Sequence, residues 1–96
     1  MSTKLFKLTS GEEVVANIVS DHKDYYTIED AVLIVYSQNT TGDMTTGFAP
    51  FCPFAESKME LYKATVSVTA DVKKNLLEEY NRIFSKIQIA PASILK

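Results

Sequence analysis

The stretch LTSGEEVVANIVSDHKDYYTIEDA, Leu8 to Ala31, decides the fold. Ser10-Gly11 marks a turn, because glycine reaches backbone angles that other residues avoid. From Glu13 to Ser20 the residues alternate. Val14, Ala16 and Ile18 share one face, Glu13, Val15 and Asn17 the other, and Val19 breaks the pattern. A period of two is the mark of a half-buried strand. Asp21-His22-Lys23-Asp24 is polar and short, a tight connection. Tyr25 to Tyr36 is rich in β-branched and aromatic residues and reads as a long strand, bent near Glu29-Asp30.

Outward from this stretch the β pattern continues. Lys4 to Leu8 supplies a first strand. Ser37 to Gly47 gathers Asn, Thr, Gly and Asp into the most exposed and mobile loop expected of the chain. Phe48 to Phe54 reads FAPFCPF. Two prolines rule out a regular central strand, since each lacks an N–H for the ladder, so the segment is an edge, a bulged strand or an extended cover. Ala55 to Glu60 is a polar turn. Leu61 to Val68 alternates again, with Tyr62, Ala64, Val66 and Val68 on one face. Beyond it, Val72, Leu76, Tyr80, Ile83, Phe84 and Ile87 recur at three- and four-residue spacing, one apolar stripe of a helix. Thr69 or Asp71 can cap its start. Glu78 and Arg82 stand four apart in the favourable order. Pro91 should stop the helix.

The expected architecture is therefore mainly β: a small, five-stranded, strongly bent antiparallel barrel with a C-terminal helix over its open side. An open α+β sheet with one covering helix is the alternative. One domain covers 1–96, with strands within about 3–68, a helix at about 70–87 and an extended tail at 88–96.

Composition bounds what such a domain does. Ninety-six residues bury only about two-thirds of the surface they expose when unfolded, so oligomerisation would help. The net charge is -2, and Arg82 is the one arginine among ten basic residues. That balance argues against a broad grip on duplex DNA, which needs many phosphate contacts. Capture of a single strand by stacking needs aromatic faces more than net charge. Cys52 is the only cysteine, which excludes an internal disulfide, and one Cys with one His builds no metal cluster. No secretory signal and no membrane-length apolar run is visible, so a reducing cytoplasm is expected, and Asn39-Thr40-Thr41 is read as a chance glycosylation match. No nucleophile sits beside an acid–base pair in any motif, so an enzyme and a cofactor are not expected.

Candidate residues follow from chemistry. His22 and Tyr25 offer flat faces for stacking. Tyr25 and Tyr26 alternate, so one faces the core. Asp21, Asp24, Glu29 and Asp30 lack the spacing of a calcium loop and read as a solvated face, Asp30 taking loop hydrogen bonds. Cys52, between prolines in an apolar run, reads as a buried, inert thiol. Phe48, Phe51 and Phe54, three residues apart, either cap the core or form a patch that a neighbouring subunit covers.

Leu8, Gly11, Val14, Ala16, Ile18, Asp21, Ile28 and Asp30 stand in an order that resembles the first motif of the Sm-like (LSm) family. The base-contacting Asn of that family falls here near Tyr25. The second motif's Arg-Gly or Lys-Gly step is absent, with Lys58 the nearest substitute, and the family's helix comes first rather than last. The FAPFCPF segment followed by a strand and a helix is also similar to small proteins of tailed phages. The resemblance implies a homo-oligomeric ring of about five to seven subunits, closed by edge-strand pairing. It implies single-stranded RNA, U-rich or A-rich, bound at His22, Lys23, Tyr25 and Lys58. Apart from the resemblance, Phe48, Phe51, Phe54 and Val66 are the residues expected at a subunit contact. A phage-encoded RNA regulator or chaperone in the host cytoplasm, with no membrane and no duplex DNA partner, is the function so implied. The alternative is a non-enzymatic protein–protein adaptor on the same small barrel scaffold.

Overall fold

A computed structural model describes the backbone of residues 2–94 and the side chains of residues 2–84. Its elements are β1 (Ser2–Leu8), β2 (Glu13–Asp21), β3 (Tyr25–Gln38), β4 (Met44–Pro50), β5 (Lys58–Tyr62), β6 (Val66–Asp71) and α1 (Lys74–Ile94), with a single 3-10 turn at Lys63–Thr65 between β5 and β6. All strand pairs are antiparallel, in the order β4-β3-β2-β1-β6, and β5 pairs with β3 beside this path.

The fourteen-residue β3 organises the sheet. Its first half, Tyr25 to Glu29, lies between β2 and β5, and its second half, Val32 to Gln38, takes β4 on that same edge. The change of partner happens at the expected bend. Asp30 adopts φ 57°, the left-handed region that a non-glycine residue enters rarely. Opposite it the ladder steps from Val15↔Val32 to Asn17↔Glu29, so β3 holds one more residue than β2, a bulge that sharpens the turn of the sheet. A second bulge falls on β2, between Ile18↔Ile28 and Ser20↔Thr27. Val19 is the extra residue, which explains why the alternation of apolar residues fails there.

The sheet has two buried faces. On the inner face Phe6, Leu8, Val14, Ala16, Ile28 and Leu61 form one core, flanked by Ile18, Ala31 and Leu33. On the outer face Val15, Val32 and Ile34 pack under α1 against Tyr80, with Leu5, Phe48, Val72, Leu76 and Phe84 around them. Val15 is fully buried although it shares a strand face with Glu13 and Asn17, because α1 lies over it. Each such side chain contributes about 1.5–3 kcal/mol through removal from water.

Several expectations are corrected. The sheet has six strands, not five, and among the described residues no ladder joins β5 to β6, so hydrogen bonds leave it open. The expected loop at Ser37–Gly47 is mostly the end of a hairpin. Its turn is organised by Asn39, whose Oδ1 accepts from the Thr41 and Asp43 amides at 3.0 and 2.9 Å, and by Gly42 at φ 90°. The strand placed at Phe48–Phe54 ends at Pro50, on the sheet edge where a missing N–H is harmless. Leu61–Val68 is split by the 3-10 turn, which destroys its alternation: Leu61 is buried and Tyr62 is half exposed. The helix starts later than residue 70, because Ala70 and Asp71 are held in the sheet by Leu5 and Lys4. Neither Thr69 nor Asp71 caps it; the Lys73 carbonyl accepts its first bond, from the Leu77 amide at 2.9 Å. Arg82 pairs with Glu79 rather than Glu78. The helix also continues through Pro91, where a tail was expected. Proline there removes one backbone bond close to the end of the helix, a smaller loss than in mid-helix. Of the expected tail, residues 95–96 lie outside the described residues, as does the Ile87 side chain of the stripe. Cys52 is exposed, because the chain leaves the sheet at Pro50 and turns outward.

Candidate functional site

The tight turn between β2 and β3 closes through the His22 amide, which donates to the Tyr25 carbonyl at 2.9 Å. This places the two rings together: His22 and Tyr25 stack with centroids 4.4 Å apart and planes 25° apart. Tyr62 lies opposite Tyr25 across the β3–β5 ladder, with centroids 5.5 Å apart. The three rings form a row on one surface. Strand alternation explains the row, since Tyr26, Ile28, Met59 and Leu61 point into the inner core and leave Tyr25, Thr27, Tyr62 and Glu60 on the opposite side. His22 Nε2 lies 3.1 Å from Thr27 Oγ1, and Tyr62 is 51% exposed, so the row is both held and accessible.

Lys63, not marked by any motif, completes the turn. Its amide donates to the Asp24 carbonyl at 2.9 Å. Its ammonium donates to Asp21 Oδ1 at 2.6 Å and to the His22 carbonyl, and sits 4.7 Å from the centre of the Tyr26 ring. One lysine thus ties the β2–β3 turn to the 3-10 turn before β6. The hydrogen bond to Asp21 holds its ammonium above the usual lysine range. The Tyr62 hydroxyl donates to Glu60 Oε1 at 3.1 Å, and the neighbouring carboxylate raises its pKa.

The residues singled out from the sequence are distributed as follows. His22, Lys23 and Tyr25 share the turn, with Lys23 exposed. Lys58 lies on the same surface but at the far end of β5, opposite Glu29 and four residues from Tyr62, about 13 Å along the strand. Lys63 follows Tyr62 in sequence, but its ammonium lies over Tyr26, on the other side of the sheet from the row. Sequence pattern missed it because the 3-10 turn was read as the middle of a strand. The same reading groups Tyr62 with Ala64, Val66 and Val68 on one strand face, an alternation that the 3-10 turn interrupts.

The three phenylalanines separate. Phe48 packs under α1, with its ring edge-on to Tyr80 at 6.2 Å. Phe51 packs against the inner core. Phe54, at the tip of the turn before β5, is fully exposed. Val66 leans on the inner core, while Val68 is half exposed along β6. A groove of about 470 Å³ runs between the Asp30 bend, the Phe51–Ser57 segment and Phe84. Asp30 is fixed there from two sides. Its carbonyl accepts from the Tyr80 hydroxyl at 2.7 Å, and its carboxylate accepts from Ser57 Oγ at 3.2 Å.

Among the described residues no group of three or more His, Cys, Asp or Glu side chains is arranged to hold a metal ion, and no helix is long and apolar enough to cross a membrane. No protein-family model matches the chain, and no curated protein matches it.

Proposed function

We propose that this protein is a divergent Sm-like subunit that assembles into a ring and binds single-stranded RNA. The observation that carries the reading is the row His22–Tyr25–Tyr62, exposed at His22 and Tyr62 and half-buried at Tyr25, built where the β2–β3 turn meets the end of β5. Flat rings in a row suit unpaired bases, each stacked base contributing about 1–3 kcal/mol. Lys23 and Lys58, which make no ion pair among the described residues, are the cations available to the phosphates.

The topology supports the assembly part of the reading. β5 and β6 are the two ends of the path β5-β3-β2-β1-β6, joined only by a 3-10 turn. We read this as a small barrel left open at one seam. Each end strand keeps one unpaired edge, and an unpaired edge invites another chain. Pairing β5 of one subunit with β6 of the next would use both edges and close a ring. Repetition of a weak site around that ring would give avidity.

Binding of short labelled RNA followed by fluorescence anisotropy tests the site. Tyr25→Ala should weaken binding about tenfold, the loss of one stacked base. Lys58→Ala should weaken it less. Parent-like binding by both variants would remove the site assignment. The adaptor reading is favoured by one observation, the fully exposed Phe54 at a loop tip, which a partner protein could bury.

A further inference from the structure

Phe54 is fully exposed, four residues before β5 begins at Lys58. A phenylalanine ring gains free energy by leaving water. At the other open edge of the sheet, where β6 ends at Asp71 and the chain passes into α1, lies a pocket of about 580 Å³. Leu5, Ile34, Ala70, Val72 and Leu76 give it apolar walls. Two carboxylates that line it are already engaged. Glu13 accepts from the Tyr36 hydroxyl, and Asp71 accepts from the Lys4 ammonium. Lys73 also lines the pocket, and it is exposed and makes no ion pair among the described residues. Glu56, two residues beyond Phe54, is likewise exposed and without an ion pair among those residues.

Building on the ring assembly proposed above, we infer that Phe54 of each subunit seats in this pocket of its neighbour, with Glu56 against the neighbour's Lys73. Strand direction brings the two together. Every strand pair in the sheet is antiparallel, the pairing that is more stable per residue. With β5 set antiparallel to the neighbouring β6, the start of β5 falls beside the end of β6, where the pocket opens. Four residues of chain keep Phe54 within about 14 Å of that start. In this strand order, antiparallel pairing also turns the neighbouring sheet over locally. The side of β5 that carries Met59 and Leu61 then continues into the side of the neighbouring β6 that carries Ala70, paired with Leu5 under α1. Phe51, in the same turn as Phe54, packs on that Met59 and Leu61 side. The charges agree as well, an acidic turn meeting a pocket whose unengaged charge is a lysine. The groove at the Asp30 bend is a poorer seat. It is lined by the turn that carries Phe54, so filling it from another copy is a reciprocal twofold contact that uses neither open strand edge.

The test uses the full chain carrying Cys52→Ser, Glu56→Cys and Lys73→Cys, all at exposed positions, oxidised and run on a denaturing gel without reductant. Disulfides between neighbours should give a ladder of linked subunits rising to the size of the ring, whereas a bridge within one chain leaves the monomer band. Sedimentation velocity of charge variants gives a second readout. Glu56→Lys should weaken association about three- to fivefold at each contact, and adding Lys73→Glu to the same chain should restore it. An assembled protein that yields no ladder would overturn the inference while the ring reading stands. So would a Glu56→Lys change that leaves association unaltered or that Lys73→Glu does not rescue. A parent protein that sediments as a monomer at every concentration would overturn the ring reading, and the inference with it.

Discussion

Asp30 and Tyr80 show how single residues set the geometry. A left-handed backbone angle at a non-glycine residue costs about 1–2 kcal/mol, and the surroundings of Asp30 hold it there. The Tyr80 hydroxyl binds its carbonyl and Ser57 binds its carboxylate. Asp30→Val should destabilise the fold by more than about 2 kcal/mol, because a β-branched side chain resists φ 57°. Asp30→Gly should cost less, since glycine relieves the strain that loss of the Ser57 bond offsets. Denaturant unfolding of the two variants gives the comparison, and an equal cost would show that strain is not the issue. Tyr80→Phe leaves the Asp30 carbonyl without its partner and should cost about 1–3 kcal/mol. Burial, with Asp30 and Glu29 close by, raises the Tyr80 pKa. Its contribution is therefore complete below the ordinary phenol value of about 10 and is lost as pH rises above it, when the unfolded chain ionises first. The stability gap between parent and Tyr80→Phe should narrow above about pH 10 in urea titrations. A constant gap would mean that the hydroxyl is not protected.

At the scale of elements, how much the sequence reveals depends on whether local rules and tertiary packing agree. The β2 alternation, the bend at Glu29-Asp30 and the stripe Val72, Leu76, Tyr80 and Phe84 are local patterns that packing reinforces, and all are legible. Val15 is not, because its burial depends on a helix that arrives from more than fifty residues away in sequence. The β4 strand was hidden by its Thr and Gly content, residues that read as loop although Met44 to Pro50 pair residue by residue with Gln38 to Val32. The 3-10 turn at Lys63–Thr65 leaves no signature among alternating apolar residues. That one miss explains why Tyr62 and Lys63 escaped the candidate site, while His22 and Tyr25, defined by a short polar turn, did not. Lys63 joins two elements, so Lys63→Met should loosen the β2–β3 turn. Amide exchange at His22 to Tyr25 should then quicken while exchange in the β1–β2 ladder stays slow. Unchanged protection at the turn would show that the lysine is not the tie.

For the whole molecule, the question is what covers the edges of β5 and β6 and the ring of Phe54. Phe51→Asp would place a charge against the inner core and should unfold the protein, so it cannot report on assembly. Phe54→Asp touches no core residue and should leave the unfolding free energy within about 0.5 kcal/mol of the parent. In sedimentation velocity it should nonetheless weaken subunit association; unaltered association would exclude Phe54 from the interface. The measurement that tests the central claim most directly is native mass spectrometry of the purified protein, with and without a short single-stranded RNA. The account predicts one discrete species of about five to seven copies that gains the mass of bound RNA. A monomer or dimer whose mass ignores RNA would contradict it.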